Sequence, residues 1–178
     1  MDRKNPTDHR PPIMFELKRL NKEAIPAAIE KAKQYRLLNE PSAAQSICLD
    51  ILAVEPDNQE ALVNIILAMT DRLNRDYSVG DSQIQTYLAK LSDEFQKAYY
   101  TGIVFERRAK AILKKGSLGS EATVFELFRQ AMEWFEKAES LSSDQNDNAI
   151  LRYNHCLRII NSNGLSPQER SHDFDFIE

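Results

Sequence analysis

The spacing of apolar residues constrains the fold of this chain more than any other feature of its sequence. Over most of the chain, apolar side chains recur three and four positions apart, which gathers them on one side of an α-helix. The alternation of apolar and polar residues that marks a half-buried strand is nearly absent, and glycine occurs only five times in 178 residues. The sequence therefore predicts an all-α protein.

Polar segments containing Asn, Asp, Ser, Pro or Gly divide this pattern into about seven predicted helices. The predicted helices cover residues 22–38, 42–54, 59–73, 83–91, 93–115, 121–141 and 149–160. Most of the connections are short, so we expect successive helices to pack against each other as antiparallel hairpins.

The two ends of the chain lack the helical pattern. Residues 1–20 are polar and rich in proline, and residues 163–178 follow a turn segment and are mostly polar or acidic. Such segments bury too little apolar surface to offset the entropy of ordering the chain. We therefore predict a flexible N-terminal arm over 1–20, a helical domain over 21–162 and a flexible tail over 163–178. The arm residues expected to pack are Phe15, Leu17 and Leu20.

Small and aromatic residues recur in the helices at a fixed spacing. In residues 25–58, Ala32 and Tyr35 occupy the first helix, Ala44 the second, and Pro56 the closing turn. On these residues the segment resembles a tetratricopeptide repeat, a helix hairpin of about 34 residues. Small residues at such positions let two helices approach closely, and a facing bulky side chain fills the space. We expect these bulky partners to be Tyr35, Phe105, Phe135 and Leu157.

The same spacing returns later in the chain. Gly102 and Phe105 repeat the first-helix pair, and Ala131, Phe135 and Ala138 repeat the second-helix positions. Over about residues 24–160 the chain thus resembles three degenerate tetratricopeptide repeats with insertions, followed by a capping helix. The resemblance implies a right-handed superhelix of antiparallel helix hairpins.

In this family, the first helix of each repeat lines a concave groove, which the resemblance implies is the functional surface here. The residues expected in the groove are Ile29, Lys33, Arg36, Val63, Asn64, Leu67, Tyr99, Ile103, Arg107, Leu151, His155 and Arg158, with Thr70, Asp71 and Glu106 in reach. An apolar floor with an arginine rim is typical of a peptide site, because the floor supplies buried area and arginine binds carboxylates. We expect a peptide ligand with apolar anchors and acidic flanks. The alternative is that the N-terminal arm or tight closure of the superhelix covers part of this surface.

The best-known binding mode of the family is a carboxylate clamp for the C-termini of chaperones, built from lysine, asparagine and arginine. The corresponding positions here hold Ile29, Lys33, Asn64, Gln96 and Tyr100, and only Asn64 fits the clamp. The sequence therefore argues against binding of chaperone C-termini.

The C-terminal segment itself has the composition of the expected ligand, because acidic and bulky apolar residues alternate along it. Its residues are Asp173, Phe174, Asp175, Phe176, Ile177 and Glu178. This segment could dock in its own groove or in that of a second copy, or serve as a docking motif for another protein. The alternative is a tail without a binding role.

Residues that carry catalysis or bind metals are sparse. Of three histidines, His9 and His172 lie in the predicted flexible ends, and His155 and its neighbour Cys156 point about 100° apart on a helix. Glycine-rich phosphate loops and nucleophile turns are absent from the sequence. We therefore expect no catalytic residues, no cofactor and no bound metal.

Charge and cysteine content indicate which partners and which cellular compartment the chain suits. A formal charge of −4 argues against general nucleic-acid binding, and the cluster of basic residues at 107–115 is expected to be a solvated helix face. Cys48 and Cys156 are expected to be buried free thiols, as in a reducing compartment. The sequence has neither an apolar run of about 18 residues nor a signal-peptide pattern, so we predict a cytoplasmic protein without membrane contact.

These observations favour a non-catalytic adaptor or scaffold that binds a segment of another protein. Two alternatives remain open at the level of sequence: a small cytosolic chaperone that holds one client segment, and a structural subunit whose groove a neighbouring chain fills permanently.

Overall fold

The computed structural model describes residues 15–73, 81–116, 119–143 and 145–167, and over these ranges the protein contains seven α-helices and no strand. The helices are α1 (Ile25–Leu37), α2 (Pro41–Val54), α3 (Gln59–Asp71), α4 (Asp81–Ala89), α5 (Glu94–Lys115), α6 (Glu121–Ser140) and α7 (Asn148–Ser162). The all-α prediction is confirmed. Six helices begin and end within two residues of the predicted positions, and the predicted first turn of α1 is instead a 3-10 turn over Lys22–Ala24. None of the described helices is both long and apolar enough to cross a membrane.

Local signals in the sequence set the ends of these helices. The side chain of Asn58 accepts a hydrogen bond from the backbone N–H of Ala61 at the start of α3, and Asp93 accepts one from Gln96 at the start of α5. Each cap satisfies a backbone donor that the first helical turn leaves without a partner. At the other end of α5, Gly116 adopts a left-handed conformation with φ of 64°, which glycine reaches at little cost.

The odd-numbered helices lie side by side. Helix α3 contacts both α1 and α5, while α2 packs against α1 and α3, and α6 packs against α5 and α7. Side chains connect α5 to α7, since Lys110 Nζ lies 2.9 Å from His155 Nε2. Helices α1, α3, α5 and α7 therefore form one continuous surface, called the odd-helix face below.

Three apolar clusters hold the helices together. The first lies between α5, α6 and α7, the second joins α2, α3 and α4 to residues of α1 and α5, and the third packs the N-terminal parts of α1 and α3 against the C-terminal half of α2. The small residues predicted at close helix approaches are all buried: Ala32, Ala44, Gly102 and Ala131. Of the bulky partners, Phe135 is fully buried, whereas Leu157 is 38% exposed and does not fill such a space.

The predicted terminal segments lie mostly outside the described residues. These comprise 1–14 of the arm and 168–178 of the tail, including the predicted docking residues. Among the arm residues expected to pack, Leu20 contacts the third cluster, but Phe15 and Leu17 are exposed. On the other side of the domain, Leu165 is buried in the first cluster, so contact with the core extends beyond residue 163, where we predicted the tail to begin.

Candidate functional site

Two adjoining clefts open on the odd-helix face. The first, called the cationic cleft, has a volume of about 390 Å³ and is lined by Lys33, Arg36, Thr70, Asp71, Arg107 and Lys110, among others. The second, called the mixed cleft, has a volume of about 410 Å³, and its lining includes Glu60, Val63, Leu67 and Tyr100. Lys33 and Arg36 line both clefts, so the two form one continuous depression across α1, α3 and α5.

The carboxylate of Asp71 stands at the centre of the cationic cleft, between two arginines. Arg36 Nε donates to Oδ2 at 2.8 Å, and Arg107 Nη1 donates to Oδ1 at 2.7 Å. The same Nη1 lies 2.6 Å from Thr70 Oγ1 and 3.0 Å from the Leu67 carbonyl oxygen. These contacts join α1, α3 and α5, and they fix both guanidinium groups before any ligand arrives.

The paired arginines keep donors for a ligand. Among the described residues, the hydrogen bond of Arg36 uses Nε, and those of Arg107 use Nη1. The two terminal nitrogens of Arg36 and Nη2 of Arg107 make no hydrogen bond with these residues. Burial lowers the pKa of Arg107, an effect that Asp71 opposes, and the guanidinium stays protonated at neutral pH. The cleft thus offers preset cationic donors at its wall.

Lys33 contributes less positive charge to the cleft than the arginines do, because two neighbouring glutamates compensate its charge. Its Nζ lies 2.7 Å from both Glu30 Oε1 and Glu60 Oε1. These hydrogen bonds raise the pKa of Lys33 above its ordinary value, so the lysine is charged at any physiological pH. We therefore expect Lys33 to add little to the attraction of an anion into the cleft.

A buried carboxylate lies behind the other end of the cationic cleft. Glu106 is fully buried, and its Oε1 contacts Lys110 Nζ and lies 3.4 Å from Arg152 Nη1 and 3.9 Å from His155 Nε2. Its Oε2 has no hydrogen-bond partner among the described residues. Desolvation and the nearby Lys110 lower the pKa of His155, so the imidazole is neutral at pH 7. Glu106 therefore anchors Lys110 and Arg152 and couples α5 to α7.

The structure gathers only part of the predicted groove. Six of the twelve residues line the two clefts: Lys33, Arg36, Val63, Asn64, Leu67 and Arg107. Asn64 is nearly buried, and its Nδ2 donates to the Glu60 carbonyl oxygen. Tyr99 lies instead in an aromatic contact with Phe95. On α7, Leu151, His155 and Arg158 are exposed side chains that do not line either cleft.

The predicted apolar floor is wrong at two positions. Ile29 is only 5% exposed and belongs to the third cluster, and Ile103 is 1% exposed and belongs to the first. Successive helical positions differ by about 100°, so a small error in the predicted rotation of α1 and α5 moves a residue from the groove to the core. The surface between these helices is consequently more polar than we predicted.

A periodic signal in the sequence could have identified the centre of the site. Arg36, Asp71 and Arg107 are separated by 35 and 36 residues, close to the repeat length of about 34. In stacked hairpins, residues one repeat apart lie beside each other on neighbouring helices. Opposite charges at this spacing therefore predict the observed pairing. The sequence contains no such signal for the position of Lys110 in the cleft.

The remaining candidate chemistry is dispersed. In the basic segment of α5, Arg107 turns towards α3, Arg108 lies over the ring of Phe105, and Lys110 turns towards Glu106. Within the described ranges there is no cluster of three or more His, Cys, Asp or Glu residues that could hold a metal. What the odd-helix face offers chemically is a set of four cations, Lys33, Arg36, Arg107 and Lys110, that line the two clefts.

No family model matches the chain, and neither does a curated protein or a solved structure. The resemblance to tetratricopeptide repeats therefore stays a prediction.

Proposed function

We propose that this protein is a non-catalytic interaction module that binds an acidic segment of another protein in the cationic cleft. The observation that carries the proposal is the pair Arg36 and Arg107, held by Asp71 with donors left for a ligand. Together the two clefts are lined by four cations and two carboxylates, on a chain whose overall formal charge is −4. This local excess of cations attracts an anion to the clefts.

Recognition would combine charge with a smaller apolar contact. A ligand carboxylate can accept two hydrogen bonds from the terminal nitrogens of Arg36, a geometry that favours arginine over lysine. Because Asp71 already fixes the guanidinium, binding costs less side-chain entropy than it would for a free arginine. Val63, Leu67 and Tyr100 in the mixed cleft supply apolar surface for a neighbouring side chain of the ligand. With Ile29 and Ile103 in the core, acidic residues are the main determinant and apolar anchors the secondary one.

The proposal includes the tetratricopeptide-like superhelix as its framework. The side-by-side odd-numbered helices and the charge pairing at repeat spacing support that interpretation. The cytoplasm is the proposed location, because buried free thiols at Cys48 and Cys156 suit a reducing compartment.

The experiment is a comparison of peptides by fluorescence polarisation. Each labelled peptide in the set contains acidic residues next to leucine or phenylalanine. Each is compared with a matched peptide in which Gln replaces Glu and Asn replaces Asp. We expect the acidic member of the best pair to bind at least tenfold more tightly, and its affinity to fall as salt rises.

Two protein variants locate the binding. Arg36→Gln should weaken binding of the acidic peptide about tenfold or more, since it removes the two terminal nitrogens of Arg36 that can donate to a carboxylate. Lys97→Gln is the matched control, because Lys97 pairs with Glu94 and lines neither cleft. Circular dichroism and urea unfolding establish that both variants fold. Equal affinity for acidic and neutral peptides, or an equal effect of the two substitutions, would overturn the proposal.

A further inference from the structure

The chain carries a segment whose chemistry complements the cationic cleft. In residues 173–178, Asp173, Asp175 and Glu178 alternate with two phenylalanines and an isoleucine. Acidic groups of this kind suit the donors of Arg36 and Arg107, and the apolar residues between them suit the adjoining mixed cleft. The segment lies outside the described residues, so the inference depends on the cleft, on charge and on reach.

The chain leaves α7 folded back on the domain. Gly164 has φ of 61°, the Leu165 N–H donates to the Ile160 carbonyl oxygen at 3.1 Å, and the Gly164 N–H donates to Asn161 at 3.3 Å. This pattern is a Schellman cap, in which a left-handed glycine ends the helix and an apolar residue after it packs back. Leu165 is accordingly buried in the cluster between α5, α6 and α7. The chain that follows therefore starts at the domain surface instead of projecting along the axis of α7.

From this point the segment can reach the cleft. His155 lies 2.9 Å from Lys110, which lines the cationic cleft, and α7 continues for only seven residues from His155 to Ser162. Seven helical residues span about 10 Å. From Leu165 to Asp173 the chain has eight residues, which reach about 26 Å when extended. The linker is thus longer than the separation, along α7, between the end of that helix and the edge of the cationic cleft at Lys110.

We propose that residues 173–178 occupy the cationic cleft of their own chain and compete there with the acidic segment of a partner. This inference rests on the proposed function, because both use the same cleft. A linker of this length gives the segment an effective concentration of the order of 1 mM. A segment that binds with a dissociation constant of about 0.1 mM then occupies roughly nine-tenths of the clefts and weakens a partner about tenfold. Only a partner that binds more tightly than the tail, or that is present at a high local concentration, then displaces it from the cleft.

The test compares three full-length chains. The first is unchanged, and the second carries Asp173→Asn, Asp175→Asn and Glu178→Gln. The third is a control of equal charge with Glu23→Gln, Glu121→Gln and Glu139→Gln, three exposed residues that do not line the clefts. We expect the second chain to bind the best acidic peptide about tenfold more tightly than the first, and the third to bind like the first.

A second measurement reports on the cleft directly. The Nε–Hε signals of Arg36 and Arg107 in two-dimensional NMR should differ between the first and second chains, and a peptide of residues 165–178 added to the second chain should restore them. Equal affinities and equal signals in all three chains would overturn the inference while the proposed function stands. If the peptide of residues 165–178 and the acidic peptides all fail to bind, the proposed function falls as well. A tail-dependent dimer in sedimentation would overturn occupation within one chain.

Discussion

Gly102 of α5 lies so close to Phe135 of α6 that a Cβ built on the glycine would stand 2.6 Å from Cε1 and 2.8 Å from Cδ1 of the ring. Phe135 is fully buried in the cluster between α5, α6 and α7, so its ring cannot move aside without displacing its neighbours. Glycine inside a helix costs about 1 kcal/mol relative to alanine. Here that cost permits the close approach of the two helices.

We predict that Gly102→Ala lowers the free energy of unfolding by about 1–2 kcal/mol. Overpacking of a core costs about 1–3 kcal/mol, which outweighs the gain of up to about 1 kcal/mol in helix propensity. Urea unfolding followed by circular dichroism measures the change. In a Phe135→Leu background the added methyl group meets a smaller side chain, so the same substitution should become neutral or stabilising. An equal loss in both backgrounds would show that the ring is not the obstacle.

This contact also shows how much of the fold the sequence predicts. Gly102 and Phe135 are each identified by the spacing of small and aromatic residues within their own helices, which is local information, and both are buried in the structure. Helix ends were predictable for the same reason, because caps such as Asn58, Asp93 and Gly116 act within one turn. The period of the apolar residues, the capping residues and the turn residues do not depend on distant parts of the chain.

The site was less predictable, because it depends on how each helix rotates about its axis. Ile29 and Ile103 are apolar residues that fit a groove floor or a core equally well, and only tertiary packing assigns them to the core. Glu106 is the opposite case, a charged residue that local pattern places on the surface. Its burial becomes understandable only with Lys110 and Arg152 beside it, since a buried carboxylate needs opposite charge close by.

Asp71 should stabilise the domain through its two arginines. We predict that Asp71→Asn lowers the free energy of unfolding by about 1–2 kcal/mol, since two charge-assisted hydrogen bonds are weakened. The figure is modest because the side chains of Asp71, Arg36 and Arg107 are about a fifth to a quarter exposed, and solvent screens part of the interaction. The control is Asp57→Asn in the exposed turn between α2 and α3, which should change stability by less than about 0.5 kcal/mol. Equal effects of the two substitutions in urea unfolding would contradict a stabilising role for Asp71.

The two cysteines should be unreactive in the native protein. Burial raises the pKa of Cys48 and of Cys156 to about 12, and both side chains are fully buried. At pH 8 only about one thiol in ten thousand would then be ionised, and the thiolate is the reactive form. We expect an aromatic disulfide reagent to modify neither thiol quickly in native buffer and to modify both promptly in guanidinium chloride. Rapid modification of one cysteine in native buffer would show that its helix opens locally, and substitution of each cysteine by alanine would identify which.

His155 should titrate below its ordinary pKa of 6.5. Desolvation and the positive charge of Lys110 lower its pKa, with smaller contributions in the same direction from Arg152 and Arg158, while Glu106 opposes them. The unfolded chain therefore binds a proton first as the pH falls. The stabilising effect of the neutral imidazole is complete above about pH 6.5 and is lost as the pH falls towards the lower pKa of the folded state.

Histidine signals in a two-dimensional NMR titration give this pKa, and His155→Gln identifies the signal. Lys110→Gln should raise the pKa of His155, because it removes the nearest cation and leaves Glu106 to favour the imidazolium. Lys114→Gln, an exposed lysine one helical turn further along α5, is the matched control and should leave the pKa unchanged. A native pKa at or above 6.5, or an equal shift in the two lysine variants, would mean that Lys110 does not hold His155 in its neutral form. The contact between α5 and α7 would then rest on the buried carboxylate of Glu106 and its pairing with Arg152.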